Sequence, residues 1–323
     1  MKINLAFPIL LCALITGCSQ VNESVYLFSY IVQGKDKEGL RLAYSTDGYD
    51  WKSVQNGRSF LTPSVGSTKN DKQFILHGDS STIMRDPCII AGNDGFFHMV
   101  WTVAWNEKGI GYASSKDLVH WSEQRYIPVM AHEPDVVNCW APEIFFDEKN
   151  YEYLVFWAST VPGKFPSDST DGNRFNNRIY YVTTKDFLSF SEIKLFYDHG
   201  LDVIDATIQK AGKQYLMFIK EYNISPPHDK NISLIRSETL YGPFPPARPL
   251  EGKYWGEGPT AIKIGKYWVV YFDRYTEGKM GAMRSEDLVN WEDISDKINF
   301  PEGVSHGTVF TINRKILDNL INN

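Results

Sequence analysis

The chain has 323 residues, of which 43% are hydrophobic and 14% aromatic, so it is long enough to bury a large core. Its net charge of −6 and the lack of any basic run argue against a nucleic-acid partner. The length fits two domains or one regular all-β domain, since regular β folds often reach this size. An acidic, aromatic-rich chain also suits a neutral ligand that stacks on rings, such as a sugar.

The N-terminal residues 1–17 have the pattern of a secretory signal, in which a charged start precedes an apolar run from Leu5 to Ile15. The run leads into Leu14-Ile15-Thr16-Gly17-Cys18, which resembles the lipobox of bacterial lipoproteins, whose cysteine becomes the lipidated first residue. An ordinary signal peptide with an incidental cysteine is the alternative. We expect an exported bacterial lipoprotein on the periplasmic or cell-surface side of the outer membrane. Residues 18–24 would be its tether and residues 25–323 a single domain.

Two sets of repeated segments predict a repeat architecture. In the first set a carboxylate opens a short apolar segment and an aromatic residue follows ten positions later; the carboxylates are Asp86, Glu143, Asp205 and Glu257. In the second set a polar turn precedes an aromatic residue, at Trp51, Trp121, Phe190, Phe244 and Trp291. The segments are short and rich in β-branched and aromatic residues, and no long stretch has a helical period. Five repeats of about four strands predict an all-β fold, a five-bladed β-propeller.

The first repeat lacks a carboxylate-led strand and begins directly with the apolar segment Val25–Tyr30. The missing strand occurs at the other end of the chain, as His306–Ile312. We therefore expect the C-terminal strand to complete the N-terminal blade, since closing the ring removes exposed edges. The predicted ring of axial residues is Asp86, Glu143, Asp205, Glu257 and His306.

Carboxylates gathered around one axis are costly to bury unless their charge is neutralised. Their proximity moves their pKa values apart, so that one acid keeps its proton near neutral pH while another is ionised. Glycoside hydrolysis needs such a pair. Asp86, before Pro87, is suited to activating water, whereas Glu257 lies between glycines and is suited to protonating a leaving group. Asp205 could orient and tune that acid.

The ordered set of motifs resembles glycoside hydrolase family 43 over residues 25–312. The motifs are Arg85-Asp86-Pro87, Trp140-Ala141-Pro142-Glu143, Ile204-Asp205-Ala206-Thr207, Glu257-Gly258-Pro259 and His306-Gly307-Thr308. The resemblance implies a five-bladed propeller that hydrolyses arabinosides, xylosides or galactosides with inversion. It implies Asp86 as general base, Asp205 as pKa modulator and Glu257 as general acid. It also places His306 on the axis, where it would help to hold a metal ion, often calcium, or a structural water.

The implied substrate is an oligo- or polysaccharide carrying an α-L-arabinofuranoside, a β-D-xyloside or a β-galactoside. Long loops at 55–83, 125–138, 161–177 and 222–230 predict a pocket and hence exo action. We expect no required cofactor, a monomer, and contact with the membrane only through the lipid on Cys18. Inverting enzymes hold their two carboxyl groups roughly 6.5–9.5 Å apart, and we expect this separation for Asp86 and Glu257.

Four further residues are candidates for substrate binding: Trp105, Trp140, Glu143 and Arg274. Each has a structural alternative. Glu143 could satisfy backbone amides, Arg274 could form a surface ion pair with Asp273, and the tryptophans could pack between blades. The same choice between sugar binding and packing applies to Phe165, Tyr222 and Trp255.

Cys88 and Cys139 could form a disulfide or be two buried free thiols.

Three other functions are alternatives to family 43 hydrolysis. The Arg85-Asp86-Pro87 motif also resembles the fructan-cleaving, retaining enzymes of glycoside hydrolase family 32, but the first blade, which starts at Val25–Tyr30, lacks their nucleophile motif. A sugar-binding lipoprotein without catalysis and a propeller for protein contacts are the remaining alternatives, and neither would need the trio of axial acids.

Overall fold

The computed structural model describes residues 24–66, 82–166, 175–221, 232–250 and 255–322. Within these ranges the chain forms five four-stranded antiparallel sheets and one C-terminal α-helix. The strands of the first two blades are β1 (Ser24–Val32), β2 (Arg41–Ser45), β3 (Lys52–Ser53), β4 (Arg85–Ala91), β5 (Phe97–Thr102), β6 (Ile110–Ser115) and β7 (Arg125–Ile127).

The next two blades contain β8 (Trp140–Asp147), β9 (Glu152–Ser159), β10 (Arg178–Thr184), β11 (Lys194–Tyr197), β12 (Val203–Ala211), β13 (Gln214–Glu221), β14 (Ile232–Ser237) and β15 (Arg248–Pro249). The fifth blade and the C-terminal elements are β16 (Glu257–Ile264), β17 (Tyr267–Arg274), β18 (Lys279–Ser285), β19 (Glu292–Asp293), β20 (Val304–Asn313) and α1 (Arg314–Asn322).

The C-terminal strand closes the ring. β20 pairs with β1 from Val25↔Ile312 to Tyr30↔Gly307, so it becomes the inner strand of the first blade. The five inner strands β20, β4, β8, β12 and β16 each contact the next one around the axis. The predicted five-bladed propeller and its closure are both confirmed.

The inner strands β4, β8, β12 and β16 share a bulge at one level of the ring, where two residues of the inner strand oppose one of its neighbour. The first bulged residue has a positive φ in each case: Asp86, Ala141, Asp205 and Gly258. The expectation that four carboxylates occupy the same point of the repeat is therefore wrong. Asp86 and Asp205 share it, whereas Glu257 lies one residue earlier and Glu143 two residues later.

A repeated side-chain turn explains the second sequence repeat. In the second blade the Ser115 hydroxyl accepts the Leu118 N–H at 2.8 Å, and the Asp117 carboxylate accepts two further backbone N–H groups at 2.9 and 2.7 Å. These bonds hold the turn between β6 and β7. Equivalent turns form around Ser45 and Asp47, Thr184 and Asp186, and Ser285 and Asp287.

Five apolar clusters of the described residues fill the interfaces between neighbouring blades. Between the first and fifth blades, Trp51 stacks on Phe300 with ring centroids 5.1 Å apart and meets Tyr271 edge-on at 5.6 Å. The core is thus arranged as a ring of wedges around the axis, which leaves the axis itself for polar side chains.

The helix α1 was not predicted from the sequence. Its Leu317 and Leu320 are buried in the cluster between the first two blades, and the Gln55 side chain donates to the Leu320 carbonyl at 2.6 Å. Nine residues carry too little periodic signal to reveal a helix in the sequence. In the described ranges no helix has the length and apolar character needed to cross a membrane.

Candidate active site

Asp86 and His306 form the centre of the axial cluster. Asp86 Oδ1 lies 3.0 Å from His306 Nδ1, and the Thr102 hydroxyl donates to Asp86 Oδ2 at 2.8 Å. Thr102 in turn accepts the Ala141 N–H at 2.9 Å, which connects the second blade to the third. The Ser29 hydroxyl donates to the Pro87 carbonyl at 2.6 Å. The Asp86 carboxylate is therefore held by the first and second blades, and Thr102 connects it to the third.

The charges of Asp86 and His306 support each other. Burial alone would raise the pKa of Asp86, but the charge and hydrogen bond of His306, with Arg85 and Thr102, lower it to about 2. Burial alone would lower the pKa of His306, but attraction to Asp86, Asp205 and Glu257 raises it to about 10. At neutral pH the pair is a carboxylate beside an imidazolium.

Asp205 connects the cluster to the segment that carries Glu257. Its Oδ2 accepts the Gly258 N–H at 2.9 Å, and the carboxyl group is buried. Burial raises the pKa of Asp205 and so does the charge of Glu257, while His306 and Lys220 oppose the rise. A carboxyl group in this position both orients the Glu257 segment and repels a charge on Glu257.

Glu257 is the more accessible of the two predicted catalytic carboxylates. It opens β16, and its side chain is 23% exposed, against 11% for Asp86. The Lys220 ammonium donates to Glu257 Oε2 at 2.7 Å. An accessible carboxyl group at the start of an inner strand is placed where it can reach a bound ligand.

The two tryptophans predicted to bind substrate lie beside Arg85, next to the axial acid Asp86. Trp105, 37% exposed, follows β5 and lies over the Arg85 guanidinium at 4.6 Å. The Trp140 indole N–H donates to the Trp105 carbonyl at 2.8 Å, and the two rings meet edge-on. Arg85 also pairs with Asp36 at 3.2 Å. These contacts form a wall next to Asp86.

On the opposite side of the cluster Arg274 ends β17 beside Glu257. It is buried and pairs with Glu277, whereas the neighbouring Asp273 is also buried and accepts the Ser305 hydroxyl at 2.8 Å. The alternative of a surface ion pair between Asp273 and Arg274 is therefore wrong. The ring centroids of Trp255 and Tyr275 lie 6.2 Å apart on the same side.

Phe165 and Tyr222 have different outcomes. The Phe165 ring lies under the guanidinium of the buried Arg178, 4.8 Å from the ring centroid, and packs in the third blade. Tyr222 lies outside the described residues, as does Cys18.

Glu143 occupies a different level of the axis from the other acids. It lines a cavity of about 570 Å³ behind the cluster, together with Cys88, Thr207 and Thr308. The Thr308 hydroxyl donates to Glu143 Oε1 at 3.4 Å. Burial raises the pKa of Glu143 to about 8, against the opposing effects of Thr207 and His306. This placement favours a neutral acid inside the propeller over the predicted contact with substrate.

The side chains around His306 do not fit a calcium ion held by the protein. Calcium takes six to eight oxygen ligands, whereas His306 Nδ1 is engaged with Asp86. Among the described residues no group of three or more His, Cys, Asp and Glu side chains is arranged to hold a metal ion. Calcium at this site stays a prediction and enters no step below. Cys88 and Cys139 are buried free thiols, which decides between the two alternatives for them.

Sequence reasoning missed Lys220, whose ammonium is bonded to the axial acid Glu257. It lies near the end of the apolar strand β13, next to the strand of Asp205. The sequence did offer one signal, because Lys220 is a charged residue within an apolar strand that follows the strand led by Asp205. The bond to Glu257 itself joins two blades and has no sequence pattern.

A closed five-bladed propeller with a trio of acids at one end of its axis is the architecture of a glycoside hydrolase. The family comparison agrees: a family model described as "Probable glycosyl hydrolase domain", related to glycoside hydrolase family 43, matches residues 22–318. The chain belongs to this family. It is also 27% identical over 257 residues to an α-L-arabinofuranosidase of Bifidobacterium longum subsp. longum, covering 67% of this chain and 24% of that protein. The matched region is thus about a quarter of the curated relative's length.

Solved structures show the same fold. An α-L-arabinofuranosidase from Lactobacillus brevis superposes with a TM-score of 0.51 at 18% identity, covering 65% of this chain and 72% of that one. The α-L-arabinanase of Cellvibrio cellulosa, complexed with arabinohexaose, superposes with a TM-score of 0.52 at 15% identity, covering 86% and 96%.

Proposed function

We propose that this chain hydrolyses α-L-arabinofuranosides at chain ends or side branches by an inverting mechanism. The observation that carries the proposal is the division of roles within the axial cluster. Asp86 is held ionised by His306, Glu257 is the accessible carboxyl group, and Asp205 holds the Glu257 segment through the Gly258 N–H. Arabinofuranosides come first because the curated relative is an α-L-arabinofuranosidase. β-D-Xylosides and β-galactosides are the substrates for comparison.

In the proposed reaction Glu257 donates its proton to the glycosidic oxygen as the bond to the anomeric carbon breaks. A water molecule attacks that carbon from the opposite face and gives a proton to Asp86. The products are the free sugar and an alcohol. Glu257 has lost one proton and Asp86 has gained one, and exchange with solvent restores both. Ionised Asp86 is ready to accept its proton at any pH well above 2.

The substrate and the two roles are tested with aryl α-L-arabinofuranosides, β-D-xylosides and β-galactosides. We expect turnover of the arabinofuranosides, and a loss of about 10²–10⁴-fold in kcat for Asp86→Asn and for Glu257→Gln. Thermal melting checks that both variants remain folded. Full activity in either variant would refute its role.

The same substrates, together with fructans, distinguish the alternative functions. A sugar-binding protein without catalysis would bind oligosaccharides and hydrolyse none of the aryl glycosides. A retaining fructan-cleaving enzyme would hydrolyse fructans in preference to the aryl arabinofuranosides. The trio of axial acids favours hydrolysis over binding alone, since binding neutral sugars does not require this trio.

We also propose that the protein is exported and anchored through a lipid on Cys18, as a monomer that meets the membrane only through that lipid. The lipobox-like sequence Leu14–Cys18 is the support for this proposal. Labelling with a radioactive fatty acid in a bacterial host tests it. Wild-type protein should incorporate the label and Cys18→Ala should not, whereas equal labelling of both would contradict the anchor.

A further inference from the structure

Lys220 is a buried cation in contact with the accessible acid. Its side chain is 5% exposed, and Nζ donates to Glu257 Oε2 at 2.7 Å. The ammonium also lies 4.4 Å from the centre of the Tyr275 ring. Lys220 belongs to β13 of the fourth blade and Glu257 to β16 of the fifth, so the contact bridges two blades.

The charges around Lys220 keep its proton in place. Burial alone would lower the pKa of Lys220, but attraction to Glu257 and Asp205 and the hydrogen bond to Glu257 raise it. The nearby Asp202 carboxyl group is also attracted by this ammonium. Lys220 is therefore a fixed positive charge among acids at neutral pH.

Glu257 is subject to two opposing influences. The neighbouring Asp205 repels a negative charge on Glu257, because like charges repel. The Lys220 ammonium attracts and hydrogen-bonds the Glu257 carboxylate. A proton donor needs the repulsion by Asp205 before the reaction and the attraction by Lys220 while the proton is leaving.

We propose that Lys220 is a positioning residue that holds the Glu257 carboxyl group in place and stabilises the negative charge that develops on it during proton donation. The inference rests on the proposed role of Glu257 as general acid. Lys220 acts through Glu257 on the departing group. It therefore sets the efficiency of proton donation.

The leaving group of the substrate provides the first test. A dinitrophenyl arabinofuranoside departs with little help from an acid, whereas an alkyl arabinofuranoside needs full protonation. We expect Lys220→Met to lose at least tenfold more kcat with the alkyl substrate than with the dinitrophenyl substrate. The ratio is measured on one preparation, so any misfolded fraction cancels. Equal losses on both substrates would overturn the proposal.

The pH profile of kcat/KM provides the second test. Lys220→Met removes the ammonium that stabilises negative charge on the Glu257 carboxyl group. The basic limb of its profile should therefore move to higher pH. Lys220→Arg keeps the charge and should leave the limb in place. An unchanged limb in Lys220→Met, or a higher KM as its only effect, would contradict the proposed role.

Lys210→Met is the matched control, because Lys210 lies in the same blade as Lys220 but forms an exposed ion pair, with Glu148 of the third blade. It should change neither the limb nor the ratio. Glu257→Ala separates this inference from the proposed function. If Glu257→Ala keeps its activity on the alkyl substrate, the general-acid role itself is wrong. If that activity is lost but Lys220→Met behaves like Lys210→Met, only the inference about Lys220 is wrong.

Discussion

At the scale of single residues, the axial acids differ because their environments differ. Asp86 faces an imidazolium and stays ionised, whereas Glu143 is buried beside hydroxyl groups at another level of the axis and holds its proton. The sequence places all of them at the start of apolar segments and so gives them equal weight. Only the contacts of each carboxyl group separate an acceptor of protons from a neutral structural acid.

Glu143 should make the folded protein less stable as pH rises. Its pKa is about 8 in the folded chain against an ordinary value of 4.5, so the folded state binds the proton more tightly. Stability from this group is full below pH 4.5 and is lost progressively up to about pH 8. Each unit of pKa difference corresponds to about 1.4 kcal/mol, which makes the total a few kcal/mol.

Glu143→Gln removes the titration while keeping size and polarity. Relative to wild type, the variant should gain thermal stability between pH 4.5 and pH 8, as measured by melting temperatures at several pH values. Asp273→Asn is a useful comparison, because burial raises the pKa of Asp273 only to about 6 and its gain should be complete at lower pH. A pH-independent difference between Glu143→Gln and wild type would contradict this account.

At the scale of strands, the bulges decide where each side chain points. Gly258 has a φ of 57° at the bulge of β16, and a Cβ there would meet the His306 ring at 2.4 Å. The close approach lets the Gly258 N–H reach Asp205 while His306 stays beside Asp86. The glycine is thus required by both its backbone conformation and its neighbour.

Gly258→Ala should therefore displace His306 and reduce kcat strongly. Gly265→Ala is the matched control, since Gly265 has the same φ of 57° with no atom within 4 Å of the added Cβ. The control should lose about 1–2 kcal/mol of stability from the left-handed conformation and keep its activity. Equal kcat values for the two variants would show that the contact with His306 is unimportant.

The sequence revealed the strands and their order but not the level of each acid on the axis. Cys88 and Glu143 occupy the same position after the bulge, but Cys88 pairs with Val100 and Glu143 with Phe156, so the hairpins differ in length by one residue. A constant spacing from acid to aromatic residue therefore concealed different positions relative to the bulge. The role of Lys220 was hidden for a related reason. It depends on how two blades face each other, which no local pattern records.

At the scale of the whole molecule, the strand β20 both closes the ring and contributes a residue to the site. The strand supplies His306 and covers the edge of β1, and the helix α1 follows directly behind it. The fold and the axial residues are thus coupled, because losing the last strand removes both a partner of Asp86 and the closure of the first blade.

Two truncations separate closure from the helix. Deleting residues 314–323 removes α1 with its buried Leu317 and Leu320, and should lower the melting temperature while leaving an active monomer. Deleting residues 304–323 also removes β20 and should give inactive, aggregating protein, because the edge of β1 is then exposed. Size-exclusion chromatography and melting curves distinguish the two. A soluble, active product of the longer deletion would refute closure by β20.

The most direct test of the proposed mechanism is the configuration of the first product, followed by proton NMR during hydrolysis of an aryl α-L-arabinofuranoside. A pairing of Asp86 as base with Glu257 as acid requires room for a water molecule, roughly 6.5–9.5 Å between the carboxyl groups, and gives inversion. We predict that β-L-arabinofuranose appears first and then mutarotates to the equilibrium mixture of anomers. Initial release of the α anomer would mean retention through a covalent intermediate and would contradict the assignment of Asp86 as a general base.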